Sequence, residues 1–207
     1  MLDKINWEKQ ALFATLCYPV TIHFCIILEQ YFLAGLYVAL IVCLVALDKL
    51  SVKQTWRAIS LFVISLGLVT SIFITPKSVI FLPPIVIPLM LAYLFGKSLT
   101  GNRLAYITDI ACKINKQALS DRERDYTRLI TKIWTVFFVA IAIEAVLVAM
   151  FADLKTWSYV TNFLNYVLIG VFFIIEYSLR KLVLSEVDHQ GFVTFCKSLI
   201  SLHRIKR

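Results

Sequence analysis

The chain predicts an all-α, polytopic membrane protein, with six transmembrane helices and two amphipathic helices on the cytoplasmic side. Three observations predict it. Of its 207 residues, 60% are hydrophobic and only 16% charged, against roughly a quarter charged in soluble domains. The apolar residues gather in six segments, each long enough to cross a hydrocarbon core of about 30 Å. Nineteen of the twenty-one Lys and Arg residues lie in alternate gaps between those segments, leaving only Lys77 and Lys155 in the others. Basic loops are retained in the cytoplasm, so both termini are expected there, flanking a single integral membrane domain of residues 1–207.

The first span, residues 11–28, shows no small-residue cleavage site and reads as an uncleaved helix. Only Glu29 and Gln30 separate it from the second, residues 31–47, so the two are expected as a tight antiparallel hairpin. The third span, residues 58–75, follows a basic gap with Lys49, Lys53 and Arg57. The fourth, residues 79–95, carries Pro83, Pro84 and Pro88. Each proline removes a helical donor and presses on the preceding turn, so a kink or break is expected. The fifth span covers residues 133–152, where Ala145 and Ala149 offer a small-x-x-x-small contact. The sixth covers residues 159–177.

Two segments outside the spans show helical apolar spacing. In residues 103–119, Leu104, Ile107, Ala111, Ile114 and Ala118 form one face and Arg103, Asp109, Lys113 and Lys116 lie largely off it. Residues 183–203 repeat the device with Phe192, Phe195, Leu199 and Leu202 before a basic end. Both are expected to lie on the membrane surface. Trp134 and Tyr126 fit an inner aromatic belt, and Trp157 and Tyr159 an outer one. Leu in place of Gly170 is expected to disturb packing if that face meets a helix.

A formal charge of +8 points to anionic lipid headgroups and not to nucleic acid, because the basic residues border apolar segments instead of forming one aromatic-interleaved surface. The five cysteines form no C-x-x-C pair and read as free thiols. No H-E-x-x-H, G-x-S-x-G or phosphate-binding glycine loop occurs, so no catalytic, cofactor-binding or metal residue is assigned. The residue most costly to insert is Glu144, near the middle of the fifth span, at about 2.5 kcal/mol or more. It reads either as a proton or cation relay or as a buried acid bonded to another helix, with Asn162, Asn165, Tyr166 and His23 as candidate partners. At the cytoplasmic end, Glu176 and Arg180 share a helical face, and Arg128 is a candidate third member of a helix-packing cluster.

The second half also carries a resemblance. It reads Phe95-Gly96-Lys97-Ser98-Leu99, then Tyr126-Thr127-Arg128 with Thr131, Trp134, Phe137 and Phe138, then Gly170, Phe173, Glu176, Tyr177 and Arg180, with Tyr18-Pro19 in the first span. This resembles a family of bacterial inner-membrane proteins of unassigned activity, whose genes often accompany fatty-acid-like or aryl polyene lipid biosynthesis clusters. More distantly, the order of a P-K turn, a span ending F-G-K, a basic loop and a W-x-x-F-F helix is similar to the intracellular septation protein A family. The resemblance implies a bacterial inner membrane location and a role near envelope or acyl-lipid metabolism, with envelope or lipid-synthesis proteins as partners. It brings no catalytic residues. Ile141 stands where the pattern has Asn, and Glu144 is an addition of this chain. The expectation is therefore a non-enzymatic accessory or scaffold protein, with a small transporter or lipid translocator built on Glu144 and the Pro-rich span as the alternative.

Overall fold

The computed structural model describes residues 6–101, 103–115 and 119–184, and these form helices and short connectors without strands. In order they are α1 (Trp7–Ile27), α2 (Tyr31–Ser51), α3 (Thr55–Ile74), α4 (Pro76–Ser98), α5 (Tyr106–Asn115), α6 (Asp121–Phe151), α7 (Leu154–Tyr159), a π-helical turn (Val160–Leu164) and α8 (Asn165–Val183). Six helical stretches among them are long and apolar enough to cross a membrane, α7 through α8 counting as one. The chain is thus a multi-pass helical membrane protein, and all six expected spans fall on these helices.

The first three helices are joined by the same device used twice. After α1, the Glu29 amide donates to the Ile26 carbonyl (3.1 Å) and the Gln30 amide to Cys25 (2.8 Å). After α2, Lys53 donates to Leu50 (3.1 Å) and Gln54 to Lys49 (2.9 Å). Both are Schellman closures, which satisfy terminal carbonyls by putting one residue in the left-handed region. Here those residues are Glu29 and Lys53, each at φ 58°. Gln30 and Gln54 then begin the next helix at once.

The starts of α6 and α7 are set by side chains. Ser120 opens α6 with a capping box: the Glu123 amide donates to Ser120 Oγ (3.3 Å) while Glu123 Oε2 accepts from the Ser120 amide (2.8 Å). The helix therefore begins twelve residues before the apolar segment, at Asp121, and its 31 residues extend about 46 Å at 1.5 Å each. Asp153 caps α7 by accepting from the Lys155 (2.9 Å) and Thr156 (3.0 Å) amides.

Two expectations need correction, and a third is met only in part by the described residues. Of the kink or break expected from Pro83, Pro84 and Pro88, the break does not occur, since α4 runs as one helix from Pro76 to Ser98. A proline deletes one donor and leaves the rest of the ladder intact, a loss that spanning helices tolerate. It is the last span that departs from α geometry, at the π turn. Of the surface segment 103–119, the described residues form the ten-residue α5, in which Thr108 is buried and Ile107, Ala111 and Ile114 are partly buried; residues 183–203 lie almost wholly outside the described residues. Finally, three of the four expected belt aromatics are core residues: Tyr126, Trp134 and Trp157 are buried, while Tyr159 is exposed. Packing claimed those rings because helices in lipid associate mainly through close side-chain contact.

Contacts group the chain into two units, one comprising the described part of Met1–Val86 with Glu144–Tyr166, the other Ile87–Ile143 with the described part of Val167–Arg207. In the first, α2 presents Ala34, Gly35 and Ala39 as a buried small-residue face. A Cβ at Gly35 would lie 2.8 Å from Ile72 Cγ1 of α3, so the Ile72 side chain packs against the α2 backbone in the space that glycine leaves. Ser65 of α3 donates to the Ala39 carbonyl (3.0 Å), and Tyr37 of α2 to the Ala14 carbonyl of α1 (2.8 Å). Ala145 is fully buried and Ala149 packs against the core of Tyr18, Ile22, Ile72, Ile80 and Trp157.

The second unit has an aromatic core. Phe137 stacks on Phe172 (4.4 Å between ring centres), Trp134 meets Phe172 edge-on (4.7 Å), and Phe95 meets Phe138 edge-on (5.5 Å). Through these rings α4, α6 and α8 interlock. The expected sensitivity at Gly170 does not arise within the chain, because a Cβ there meets open space.

Candidate functional site

The candidate intramembrane site lies wholly in the first unit, where α1, the end of α6 and the α7–π–α8 segment bring polar side chains into an apolar interior. The π turn is what makes this face polar along its length. The Asn165 amide donates to Val160, five residues back. A step of four residues overshoots one turn in an α-helix and undershoots it in a π-helix. Mixing the two keeps Trp157, Thr161 and Asn165, and beside them Ser158 and Asn162, on the buried side.

Glu144 is held by Asn165, whose Nδ2 donates to Glu144 Oε2 (2.9 Å). Its other oxygen, Oε1, is buried and has no hydrogen-bond partner among the described residues. One turn before Asn165, Asn162 Nδ2 donates to Ser158 Oγ (3.2 Å), and Ser158 Oγ is bonded to His23 Nδ1 of α1 (3.0 Å). A relay of three residues thus ties α1 to the last span. Thr161 closes on its own helix, donating to the Trp157 carbonyl (2.9 Å).

Among the described residues of this unit, four side-chain atoms are buried without a hydrogen-bond partner: Tyr18 Oη, Glu144 Oε1, Trp157 Nε1 and Asn162 Oδ1. Tyr18 and Trp157 belong to one apolar cluster, and Phe81 of α4 meets Trp157 edge-on at 4.7 Å. Buried polar groups are nearly always paired, so four unpaired ones on adjoining segments set this part of the unit apart.

Of the partners considered for Glu144, Asn165 is the one bonded to it. His23 and Asn162 meet at Ser158, and Tyr166 stands half exposed beside Tyr18. Sequence reading passed over Ser158 and assigned Trp157 to the belt. The signal available was the run Ser158, Thr161, Asn162 and Asn165, polar residues three and four apart in an otherwise apolar span.

The cytoplasmic-end residues fall in the second unit. Arg180 Nε (3.0 Å) and Nη2 (2.6 Å) both donate to Glu176 Oε1, and Glu176 is 4% exposed. The third member is Tyr126, whose hydroxyl donates to the Glu176 carbonyl (3.3 Å). Arg128 is exposed and donates to the Leu99 carbonyl (3.2 Å) instead. Nearby, α5 is pinned to α6: Thr108 and Thr127 hydroxyls bond at 2.7 Å, and the Ile107 amide donates to Thr131 Oγ1 (3.3 Å).

Among the described residues no three His, Cys, Asp or Glu side chains gather to hold a metal. The fold and the site define a multi-pass helical membrane protein, with six spanning helices among the described residues and a buried polar network. Comparison with protein-family models, curated proteins and solved structures gives no match for the chain.

Proposed function

We propose that this is a multi-pass protein of the bacterial inner membrane, with both termini in the cytoplasm, and that it serves as a non-catalytic accessory or scaffold component of envelope or acyl-lipid metabolism. The basic-residue asymmetry and the family resemblance supply the setting. The observation that carries the reading is the pinning of α5 to α6 by Thr108, Thr127 and Thr131. It holds a short helix with exposed Lys113 as a fixed platform, at the end of the molecule richest in basic residues. Anionic lipid headgroups and an envelope or lipid-synthesis protein are the partners such a platform fits.

The test is purification in lipid nanoparticles at native expression level, followed by mass spectrometry of what accompanies the chain. A protein partner that is retained by the wild type and lost from a Thr108→Val, Thr127→Val variant supports the reading. No partner in either preparation counts against it.

A second reading, a small transporter or lipid translocator, draws on the unpaired oxygen of Glu144. Under it, Glu144→Gln expresses and inserts normally but abolishes a proton-coupled flux. Normal complementation by that variant makes the carboxylate structural.

A further inference from the structure

The π turn divides one polar face between two helices. Seven residues come close to two turns of an α-helix, so in an unbroken span Ser158 and Asn165 would share a face. The turn takes up one surplus residue and carries Asn165 about 100° round from that face. Ser158 accordingly meets His23 of α1 (3.0 Å), and Asn165 meets Glu144 of α6 (2.9 Å).

Both flanks of the turn are anchored. Before it, Trp157 is fully buried and Ser158 is bonded to His23. After it, Phe172 stacks on Phe137 and the Glu176 carbonyl accepts from the Tyr126 hydroxyl. While both anchors hold, the span carries one residue more than an α-helix needs between them, so the π turn can move along the helix but cannot close. Moved by one turn toward the C-terminus, it returns residues 161–164 to α geometry and sets Leu164 where Asn165 now stands. That exchange costs little in packing, because an exposed apolar side chain takes a buried place in an apolar interior. What it gives up is the Asn165 bond to Glu144, whose other oxygen has no partner among the described residues.

We propose that the π turn is a movable element pinned by Glu144: the Glu144–Asn165 bond fixes where the surplus residue sits, and its loss shifts the turn toward the C-terminus and replaces Asn165 by Leu164 beside α6. The device goes beyond both readings of function, since it turns any change at Glu144 into a local change of register in the last span.

Magic-angle-spinning NMR of the full chain in liposomes tests it, by the proximity of the residue-165 amide nitrogen to the carbonyl carbons of Val160 and Thr161. In the wild type the amide should lie on Val160. In Glu144→Leu it should pass to Thr161, with a new contact of the five-residue kind appearing between residues 166 and 172, while the ring signals of Trp157 and Phe172 stay in place. Glu144→Gln, which still accepts from Asn165, should keep the wild-type pairing. If Glu144→Leu fails to insert, Asn165→Leu, read at the same amide, carries the test. Deleting Phe163 removes the surplus residue, so in that background Glu144→Leu should move no pairing. A Val160 contact that persists in Glu144→Leu or Asn165→Leu overturns the pinning. Movement of the pairing in the Phe163 deletion, or a turn that vanishes with Trp157 or Phe172 displaced, overturns the anchored, movable turn.

Discussion

Single residues divide sharply by where their side chains end. Trp157 is fully buried and Trp56 is 83% exposed, although both flank apolar segments and look alike as belt residues. Trp157→Ala removes a core ring and should cost about 3–5 kcal/mol, while Trp56→Ala should stay within about 0.5 kcal/mol; unfolding by denaturant in mixed micelles compares them. Glu176 is 4% exposed and accepts two hydrogen bonds from Arg180, so breaking this pair disturbs a buried carboxylate. Glu176→Gln or Arg180→Ala should each cost about 3–5 kcal/mol, and replacing both with Leu and Met should cost much less than the sum. A double-mutant cycle on the same unfolding assay reads that difference. Asp153 lies outside the spans, and the Thr156 hydroxyl and amide that donate to it hold its pKa below the ordinary carboxylate value. A lowered pKa means the cap is fully present above that ordinary value and is lost as pH falls through the lowered one. Hydrogen exchange should therefore show the Thr156 amide losing protection on acidification, and Asp153→Asn should remove that pH dependence.

At the scale of elements, spans were legible and their ends were not. Twenty apolar residues announce a helix in lipid because no other open structure pairs its backbone there. The start of α6 at Asp121 depends on Ser120 and Glu123, a capping box in a charged segment that hydropathy does not register. The π turn is illegible for a related reason: it changes which residues share a face without changing their composition. Thus the polar residues of the site could be named as candidates, while the grouping of His23 with Ser158 instead of Glu144 could not. The Schellman connectors offer a direct test. Glu29 occupies a conformation that costs a non-glycine residue about 1–2 kcal/mol, so Glu29→Gly should stabilise the α1–α2 pair by up to about 1 kcal/mol after its added unfolded-state freedom. Gly35→Val should destabilise by about 1–3 kcal/mol through its clash with Ile72, and Ile72→Ala should recover part of that loss.

For the whole molecule, the distribution of charge carried more information than any motif. Six spans followed from composition, and the division into two contact units did not, because it depends on which small and aromatic residues meet. The first unit is built on a small-residue face and holds the polar site; the second is built on stacked rings and ends in the Glu176–Arg180 pair. The account stands or falls on the membrane arrangement that gives those polar groups their meaning. The direct measurement is cysteine accessibility in intact cells, in a background with all five cysteines changed to serine. Single cysteines at Glu29, Lys77 and Lys155 should react with a membrane-impermeant maleimide in intact cells, and those at Lys53 and Lys113 only after permeabilisation. Labelling of Lys53 or Lys113 in intact cells, with Glu29 and Lys155 protected, would contradict the arrangement.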